Sequence, residues 1–316
     1  MRRPRLALFN ILICAALAAP VAHATEKPFS GITYAGYRAD QNPLEGRFPT
    51  PEQVSEDLRQ LSAFTPRIRT YSAREGDNDI PRAAEQFGLR VIAGAWIDGN
   101  ADANRADLEA VLKQARSPAV THVIIGNETQ LRKDLSTGRL ALLLEEARGR
   151  TDKPVSAAEP WGTWMKYPEL AQHVDFIAAH VLPYWENVAI EDAVDYVFLR
   201  IAQLKARFPD KPVILTETGW PSGGGNRGKS VASPENQARF MKELTARAKA
   251  EGVPTQAESV PTQAEGDRAQ AEGLDYLIIE AFDQPWKAVK EGQVGAHWGL
   301  FTTERAFKLQ ADHFVR

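Results

Sequence analysis

Two glutamates stand where apolar runs of the sequence end. The run His122 to Asn127 leads into Glu128, and the run Pro212 to Thr216 leads into Glu217. Both runs are continuous and rich in β-branched residues, which is typical of buried parallel strands. Because the carboxyl ends of parallel barrel strands converge on one face, we expect the two carboxyl groups to lie close together.

Two carboxyl groups that flank one bond are what glycoside cleavage requires. One protonates the leaving oxygen, while the other attacks the sugar or activates water. Taken singly, Glu128 or Glu217 could equally cap a helix or pair with an arginine. Their shared position, at the ends of the fourth and seventh predicted strands, favours catalysis and predicts a glycosidase.

The tryptophans give independent support for a carbohydrate site. All seven fall at or just after the end of a predicted strand. Indole stacks well on a sugar ring while its N–H meets a hydroxyl, although burial in a core is the commoner use and is expected of two or three of them. His180 ends the sixth predicted strand and is expected to form hydrogen bonds in the same cleft, whereas His122 lies inside a strand and is interpreted as structural. The tryptophans are Trp96, Trp161, Trp164, Trp185, Trp220, Trp286 and Trp298, with Trp220 and Trp286 as substrate-binding candidates.

The elements that would position these side chains alternate regularly along the chain. Eight short apolar runs alternate with amphipathic stretches, which predicts a single-domain (β/α)8 TIM barrel of the α/β class. A doubly wound open sheet is the alternative, because strand order cannot be read from sequence. Thr50 and Ser233 each precede a proline and predict helix starts. The predicted strands are 32–35, 67–71, 90–96, 120–125, 154–157, 174–181, 212–216 and 276–282, and the clearest predicted helices are 51–63, 103–115, 190–208 and 234–250.

Two segments fall outside this alternation. Residues 1–24 join three arginines to an apolar run and an Ala-His-Ala sequence, which predicts a secretory signal peptide. The glycosidase domain would then span residues 25–316 and be exported, to the periplasm or the extracellular space. Further along, Val253 to Ser259 is repeated almost unchanged as Val260 to Gly266. This polar duplication predicts a solvated insertion at about 253–273, on the barrel face away from the chemistry.

Charge and composition exclude several other functions. The net charge of −3 gives no indication of a nucleic-acid partner. After the signal segment the sequence has no second long apolar run, so we expect no membrane span. The only cysteine, Cys14, lies in the signal segment, and the histidines lack metal-ligand spacing. We therefore expect no metal, no cofactor and a protein that acts as a monomer.

One further motif needs an interpretation. Residues 223–230 satisfy the phosphate-loop pattern of glycine, four residues and then Gly-Lys-Ser. That mechanism requires Lys229 and Ser230 to begin a helix, whereas the next helix is expected at Ser233. Nucleotide binding is therefore the weaker interpretation of a glycine-rich loop.

With these motifs in view, the chain resembles glycoside hydrolase family 17, the β-1,3-glucanase and β-1,3-glucanosyltransferase group, in its microbial form. The resemblance covers nearly all of the chain after the signal segment. Its most specific part is the Glu-Thr-Gly-Trp-Pro-Ser sequence, whereas a lone Asn-Glu pair would be weak. The matching segments are Gly31 to Tyr34, Ile68 to Ser72, Gly126 to Glu128, Thr216 to Ser222 and Glu280 to Lys287.

The resemblance implies a retaining double displacement on a β-1,3-glucan, with Glu128 as acid/base and Glu217 as nucleophile. On that basis we expect the surroundings of Glu128 to raise its pKa. Asn127 would donate a hydrogen bond to the sugar 2-hydroxyl. Whether water or a second sugar accepts the glycosyl group stays open, and a non-catalytic glucan-binding barrel is the alternative. The resemblance also implies a cleft lined by Tyr34, Tyr71, Tyr184, Glu280, Trp286 and Lys287.

Overall fold

A computed structural model describes residues 27–76, 78–251 and 274–309 of the chain. The signal peptide predicted at 1–24 and the insertion predicted at about 253–273 lie outside these ranges, and both stay predictions. Within the described ranges, no helix combines the length and the apolar character that crossing a membrane would require.

Eight parallel strands close into a barrel. The ring closes between the first and last barrel strands, where Ile32 lies opposite Ile278. The closed ring confirms the (β/α)8 barrel, whereas a doubly wound sheet would leave two open edges. The barrel strands are β1 (Ile32–Thr33), β2 (Arg67–Arg69), β3 (Arg90–Ala95), β4 (Val120–Asn127), β5 (Val155–Pro160), β6 (Ile177–His180), β7 (Val213–Thr218) and β10 (Asp275–Ile278), and β8 (Asn226–Arg227) and β9 (Ser230–Val231) form a separate hairpin.

Two apolar clusters bury both faces of the strands. A large cluster joins the outer faces of the strands to the helices, and a smaller one fills the barrel interior. Burial on both faces explains why the strand sequences are continuously apolar rather than alternating. The interior cluster consists of Ile92, Ile124, Ala158, Phe176, Ala178, Ile214 and Leu277.

The helix starts predicted from capping residues are confirmed. Thr50 Oγ1 accepts a hydrogen bond from the Gln53 amide at 3.3 Å, and Gln53 Oε1 accepts one from the Thr50 amide at 3.0 Å, which completes a capping box. Ser233 Oγ accepts from the Asn236 amide at 3.1 Å. The helices are α1 (Pro51–Leu61), α2 (Ile80–Glu85), α3 (Ala101–Gln114), α4 (Thr137–Arg148), α5 (Trp161–Lys166), α6 (Ala193–Arg207), α7 (Pro234–Ala250) and α8 (Ala288–Glu291).

The glycine-rich loop forms the hairpin of β8 and β9. Its tight turn includes Gly228, whose φ of 56° lies in the left-handed region that favours glycine. The Lys229 amide donates to Asn187 Oδ1 at 2.6 Å, and α7 begins only at Pro234. The loop therefore lacks the helix N-terminus that a phosphate group would need.

Candidate active site

The structure brings Glu128 and Glu217 together at the carboxyl ends of β4 and β7. Glu217 lies within β7, opposite His180 of β6 in the strand register. One oxygen of each carboxyl group and one ring nitrogen of His180 all lie within 4.8 Å of one another. The Glu128 side chain is 25% exposed and that of Glu217 only 5%. The two carboxyl groups thus face one small volume, with Glu128 nearer to solvent.

The backbone at Glu128 adopts an unusual conformation. Glu128 directly follows β4 with a φ of 54°, in the left-handed region that non-glycine residues rarely adopt. Its amide donates to the Ala158 carbonyl oxygen at 2.7 Å. Such conformations cost on the order of 1–3 kcal/mol and are concentrated at functional sites. The fold therefore holds this carboxyl group in place at some energetic cost.

A buried arginine organises the base of the site. Arg69 Nη1 donates to Glu217 Oε1 at 2.8 Å, and Nη2 donates to Asn127 Oδ1. The guanidinium group also lies over the Tyr71 ring, 4.8 Å from its centroid. Arg69 is fully buried, so the partner charge on Glu217 compensates its desolvation. One signal was visible in the sequence, because β2 carries two arginines, Arg67 and Arg69, around a single apolar residue.

His180 lies between the two glutamates. Its Nδ1 is 3.0 Å from Glu128 Oε1, and its Nε2 is 3.5 Å from Glu217 Oε1. Nε2 also lies 3.3 Å from Arg69 Nη1. The ring is almost completely buried, so these groups form its polar surroundings.

The pKa expected for Glu128 was wrong in direction. Burial raises the pKa of the Glu128 carboxyl, but the hydrogen bond and charge of His180, together with the charges of Arg132 and Arg69, outweigh it and lower the pKa. Arg132 is held close by, since its Nη2 donates to the Ile97 carbonyl at 2.8 Å and its guanidinium lies 4.3 Å from the Trp96 ring centroid. Arg132 is local in sequence to Glu128, but Arg69 and His180 come from β2 and β6, so the sequence around Glu128 did not indicate them.

A third strand-end glutamate was missed because β5 extends further than predicted. The strand reaches Pro160, so Glu159 lies at its end and is fully buried. Its carboxyl accepts hydrogen bonds from the amides of Gln130 at 2.7 Å and Leu131 at 3.3 Å. Burial raises the pKa of Glu159 to about 7 despite those bonds. Glu159 holds the turn after β4 and thereby supports the position of Glu128.

These groups open into a cleft of about 950 Å³ at the carboxyl end of the barrel. Of the residues expected to bind substrate, the structure places five beside the two glutamates in its lining, namely Tyr71, Asn127, His180, Trp286 and Lys287. Trp96, Trp185 and an edge of Trp298 also line it. Its wall is therefore rich in aromatic rings, as the tryptophan pattern predicted.

The structure does not bring the other four expected residues to the cleft lining. Tyr34 and Tyr184 are buried, and their hydroxyls donate to Asp57 Oδ2 at 3.3 Å and to the Gly225 carbonyl at 3.1 Å. Trp220 is completely buried, and its Nε1 donates to the Val231 carbonyl at 2.9 Å. Glu280 lies beneath Lys287, whose Nζ donates to both of its oxygens at 2.8 and 2.7 Å. The strand-end pattern indicated the correct end of the barrel but not the depth of each side chain.

Three tryptophans are core residues, in line with the two or three expected. Trp164, Trp220 and Trp298 are at most 1% exposed. The short helix α5, which the sequence pattern did not predict, contains Trp164 and also Trp161. Trp161 donates from Nε1 to Glu186 Oε1 at 3.0 Å and packs under the Arg200 guanidinium, 4.1 Å away.

The cluster of Glu128, His180 and Glu217 has donor atoms that could ligate a metal ion. Arg69 makes the fit poor. Its Nη1 lies 2.8 Å from Glu217 Oε1 and 3.3 Å from His180 Nε2, so a fixed positive charge already lies beside two of the three donors. A divalent cation would have to displace this buried guanidinium group.

Comparison with known proteins places this site in a family. Residues 31–299 match the BtgE/BtgC glycoside hydrolase domain. The glucan 1,3-β-glucosidases of Arthroderma benhamiae and Saccharomyces cerevisiae are 26% and 24% identical to this chain over 292 and 294 residues, covering 85% of it and 87% of each relative.

Solved structures agree with that match. The glycoside hydrolase family 17 β-1,3-glucanosyltransferase of Rhizomucor miehei is 28% identical, with a TM-score of 0.72 over 90% of this chain and 97% of the other. An active-site mutant of the Rhizomucor enzyme, in complex with laminaritriose, gives a TM-score of 0.73 at 27% identity over the same shares of the two chains. The chain belongs to the BtgE/BtgC glycoside hydrolase domain family, in the β-1,3-glucanase and glucanosyltransferase group that resembles glycoside hydrolase family 17, and is a glycoside hydrolase.

Proposed function

We propose that this protein cleaves β-1,3-linked glucan by a retaining double displacement in which Glu217 is the nucleophile and Glu128 the acid/base. The observation that carries the proposal is the approach of the two carboxyl groups to within 4.8 Å. Retaining glycosidases hold their carboxyls about 5 Å apart, whereas inverting enzymes leave roughly 6.5–9.5 Å for a water molecule. The names of the relatives support β-1,3-glucan as the substrate class.

The surroundings of each glutamate support its role. Glu217 is nearly buried and accepts a hydrogen bond from the Arg69 guanidinium, which fixes the orientation of the carboxyl group that would attack the anomeric carbon. Glu128 is more exposed, so its carboxyl can reach both the leaving oxygen and an incoming acceptor. Asn127 uses Oδ1 to accept from Arg69 and keeps its amide N–H groups for the sugar 2-hydroxyl.

The reaction then has two steps. In the first, Glu217 attacks the anomeric carbon, the glycosidic bond breaks, and the Glu128 proton passes to the departing oxygen. In the second, the Glu128 carboxylate removes a proton from water or from a sugar hydroxyl, whose oxygen displaces Glu217. Water gives hydrolysis and a sugar gives transfer. The protein is further proposed to act as a monomer, after export to the periplasm or the extracellular space.

Laminari-oligosaccharides test the proposal. Glu217→Gln should lower kcat/KM on the order of 10³-fold or more, because it removes the nucleophile but keeps the shape of the side chain. Glu169→Gln, an exposed change outside the cleft, is the matched control and should retain wild-type activity. Unchanged turnover by Glu217→Gln would exclude Glu217 as the nucleophile, whereas glucan binding without any turnover by the wild type would favour a glucan-binding protein. Products longer than the substrate would reveal transfer, and only shorter products would mean hydrolysis.

A further inference from the structure

Both ring nitrogens of His180 face groups of the proposed reaction. Nδ1 is 3.0 Å from Glu128 Oε1, a full hydrogen bond, and Nε2 is 3.5 Å from Glu217 Oε1. The side chain is 1% exposed, so solvent contributes almost nothing to its hydrogen bonding. Whatever protons the ring carries are therefore directed at the two carboxyl groups.

Arg69 favours one tautomer of the neutral ring as long as Glu128 is ionised. Nε2 lies 3.3 Å from Arg69 Nη1, and a guanidinium group can donate but cannot accept. While Glu128 is ionised, a neutral ring accepts at Nε2 and donates from Nδ1 to Glu128. A second proton can be added only at Nε2, where Glu217 Oε1 is the available acceptor, and the ring then becomes an imidazolium between two carboxylates. When Glu128 holds the proton, the ring accepts at Nδ1 and its hydrogen lies on Nε2, directed at Glu217 Oε1.

Charged groups from four other segments of the barrel lie around His180 and Glu128. Glu128 and Arg132 come from the segment after β4, and Glu217 and Arg69 come from β7 and β2. Glu159 of β5 contributes as well, because the charge of His180 lowers its pKa against the larger effect of burial.

We propose that His180 is a positioning residue that shares one titrating proton with Glu128, so that the two groups gain and lose that proton as a pair. The proposal rests on the acid/base role of Glu128. One form of the pair is imidazolium and carboxylate, and the other is neutral imidazole and carboxylic acid. The two forms differ only in where the proton lies along the 3.0 Å contact between Nδ1 and Oε1.

The proton balance follows the two reaction steps. When Glu217 forms its ester bond it loses its negative charge, so an imidazolium loses one of its two stabilising carboxylates. That change moves the shared proton toward Glu128, which passes it to the leaving oxygen. In the second step Glu128 takes a proton from water or a sugar hydroxyl, Glu217 leaves as a carboxylate, and the pair returns to its starting form with one shared proton.

Sharing has a measurable consequence for the pH profile. A proton with two available sites is retained to a higher pH than the same proton on either site alone. The alkaline limb of kcat/KM should therefore report the loss of the last proton from the pair. Replacing His180 with a side chain that does not titrate should move this limb to lower pH, because the limb then reports Glu128 alone.

The experiment compares wild type with His180→Asn on laminari-oligosaccharides across the pH range. Asparagine places an amide donor close to the Nδ1 position but cannot titrate. The alkaline limb should shift down on the order of one pH unit, since ordinary histidine and glutamate side chains titrate about two units apart. His173→Asn is the control, because His173 pairs with Glu145 at 2.7 Å on the outside of the barrel. The alkaline limb of the kcat/KM profile of His173→Asn should not move.

A second readout does not depend on turnover. The Glu128 carboxyl is titrated by ¹³C NMR without substrate and assigned by the loss of its signal in Glu128→Gln. In the wild type this carboxyl should respond in two steps, and in His180→Asn in one step that lies between them. A single wild-type step, or an unmoved alkaline limb with kcat lowered equally at every pH, would overturn the sharing and leave His180 a structural role. Because the titration needs no catalysis, it stays informative even if the proposed function fails or the variant does not fold.

Discussion

The ion pair of Lys287 and Glu280 beneath the cleft should make stability depend on pH in a predictable way. Glu280 is fully buried and accepts two hydrogen bonds from Lys287 Nζ. Burial raises the pKa of Glu280 to about 7 from an ordinary 4.5, although Lys287 opposes the rise. Since the folded-state pKa is the higher one, stability from this group is fully present below pH 4.5 and is lost as pH rises to 7.

The variant Lys287→Met removes the only charge that favours an ionised Glu280 at this contact. The pKa of Glu280 then rises beyond 7, so the loss of stability continues above pH 7, where it stops in the wild type. Each pH unit above 7 then costs the variant about 1.4 kcal/mol of unfolding free energy. Relative to wild type, the variant should lose roughly 3 kcal/mol of unfolding free energy at pH 9 and almost nothing from this source at pH 5.

Urea denaturation at pH 5, 7 and 9 measures this difference directly. Lys290→Met, three residues further along in the short helix α8 and exposed, is the matched control and should show no such trend. The double variant Lys287→Met with Glu280→Gln should lose the part of the trend that comes from Glu280, and only Glu291, whose pKa Lys287 also lowers, should still respond. An equal destabilisation by Lys287→Met at all three pH values would refute the reasoning and indicate that lost packing, not charge, is responsible.

Two further changes give stability predictions. Glu75 is buried in the cleft wall, where burial and the charge of Asp107 raise its pKa to about 8. Because this pKa is higher in the folded state, the wild-type protein loses stability as pH rises from 4.5 to 8. Glu75→Gln should match wild type near pH 4 and gain, relative to it, up to about 1.4 kcal/mol of unfolding free energy per pH unit across that window. Urea denaturation measures the difference. Gly94→Ala should destabilise the barrel by roughly 1–3 kcal/mol in thermal unfolding, because its Cβ would approach the Thr70 carbonyl oxygen to 2.4 Å. A Gly94→Ala protein as stable as wild type would show that β2 and β3 can separate freely.

The residues that sequence reasoning placed correctly share one property, namely a position fixed by local pattern. Glu128 and Glu217 each follow an apolar run, and parallel strands bring such ends to one face whatever their separation in sequence. Thr50 begins α1 through contacts with a residue three positions away, which is also local information. The barrel, its strand-end carboxyls and its first helix cap could therefore be predicted.

The contacts made by Arg69 could not be predicted in this way. It reaches Glu217 from β2, and β1 and β10 lie between β2 and β7 in the closed ring. Only barrel closure brings this cation into the site, and with His180 it lowers the pKa of Glu128 against the effect of burial. The depth of Tyr34 and Trp220 likewise depends on how neighbouring loops fold over them.

The anomeric configuration of the first product is the most direct test of the central claim that Glu217 forms a covalent glycosyl intermediate. ¹H NMR can follow the new reducing end while laminari-oligosaccharides are cleaved, before the anomers equilibrate. Two successive displacements at the same carbon predict that the β-anomer appears first, or a new β-linkage where a sugar is the acceptor. An α-anomer as the first product would mean a single displacement by water and would contradict the account.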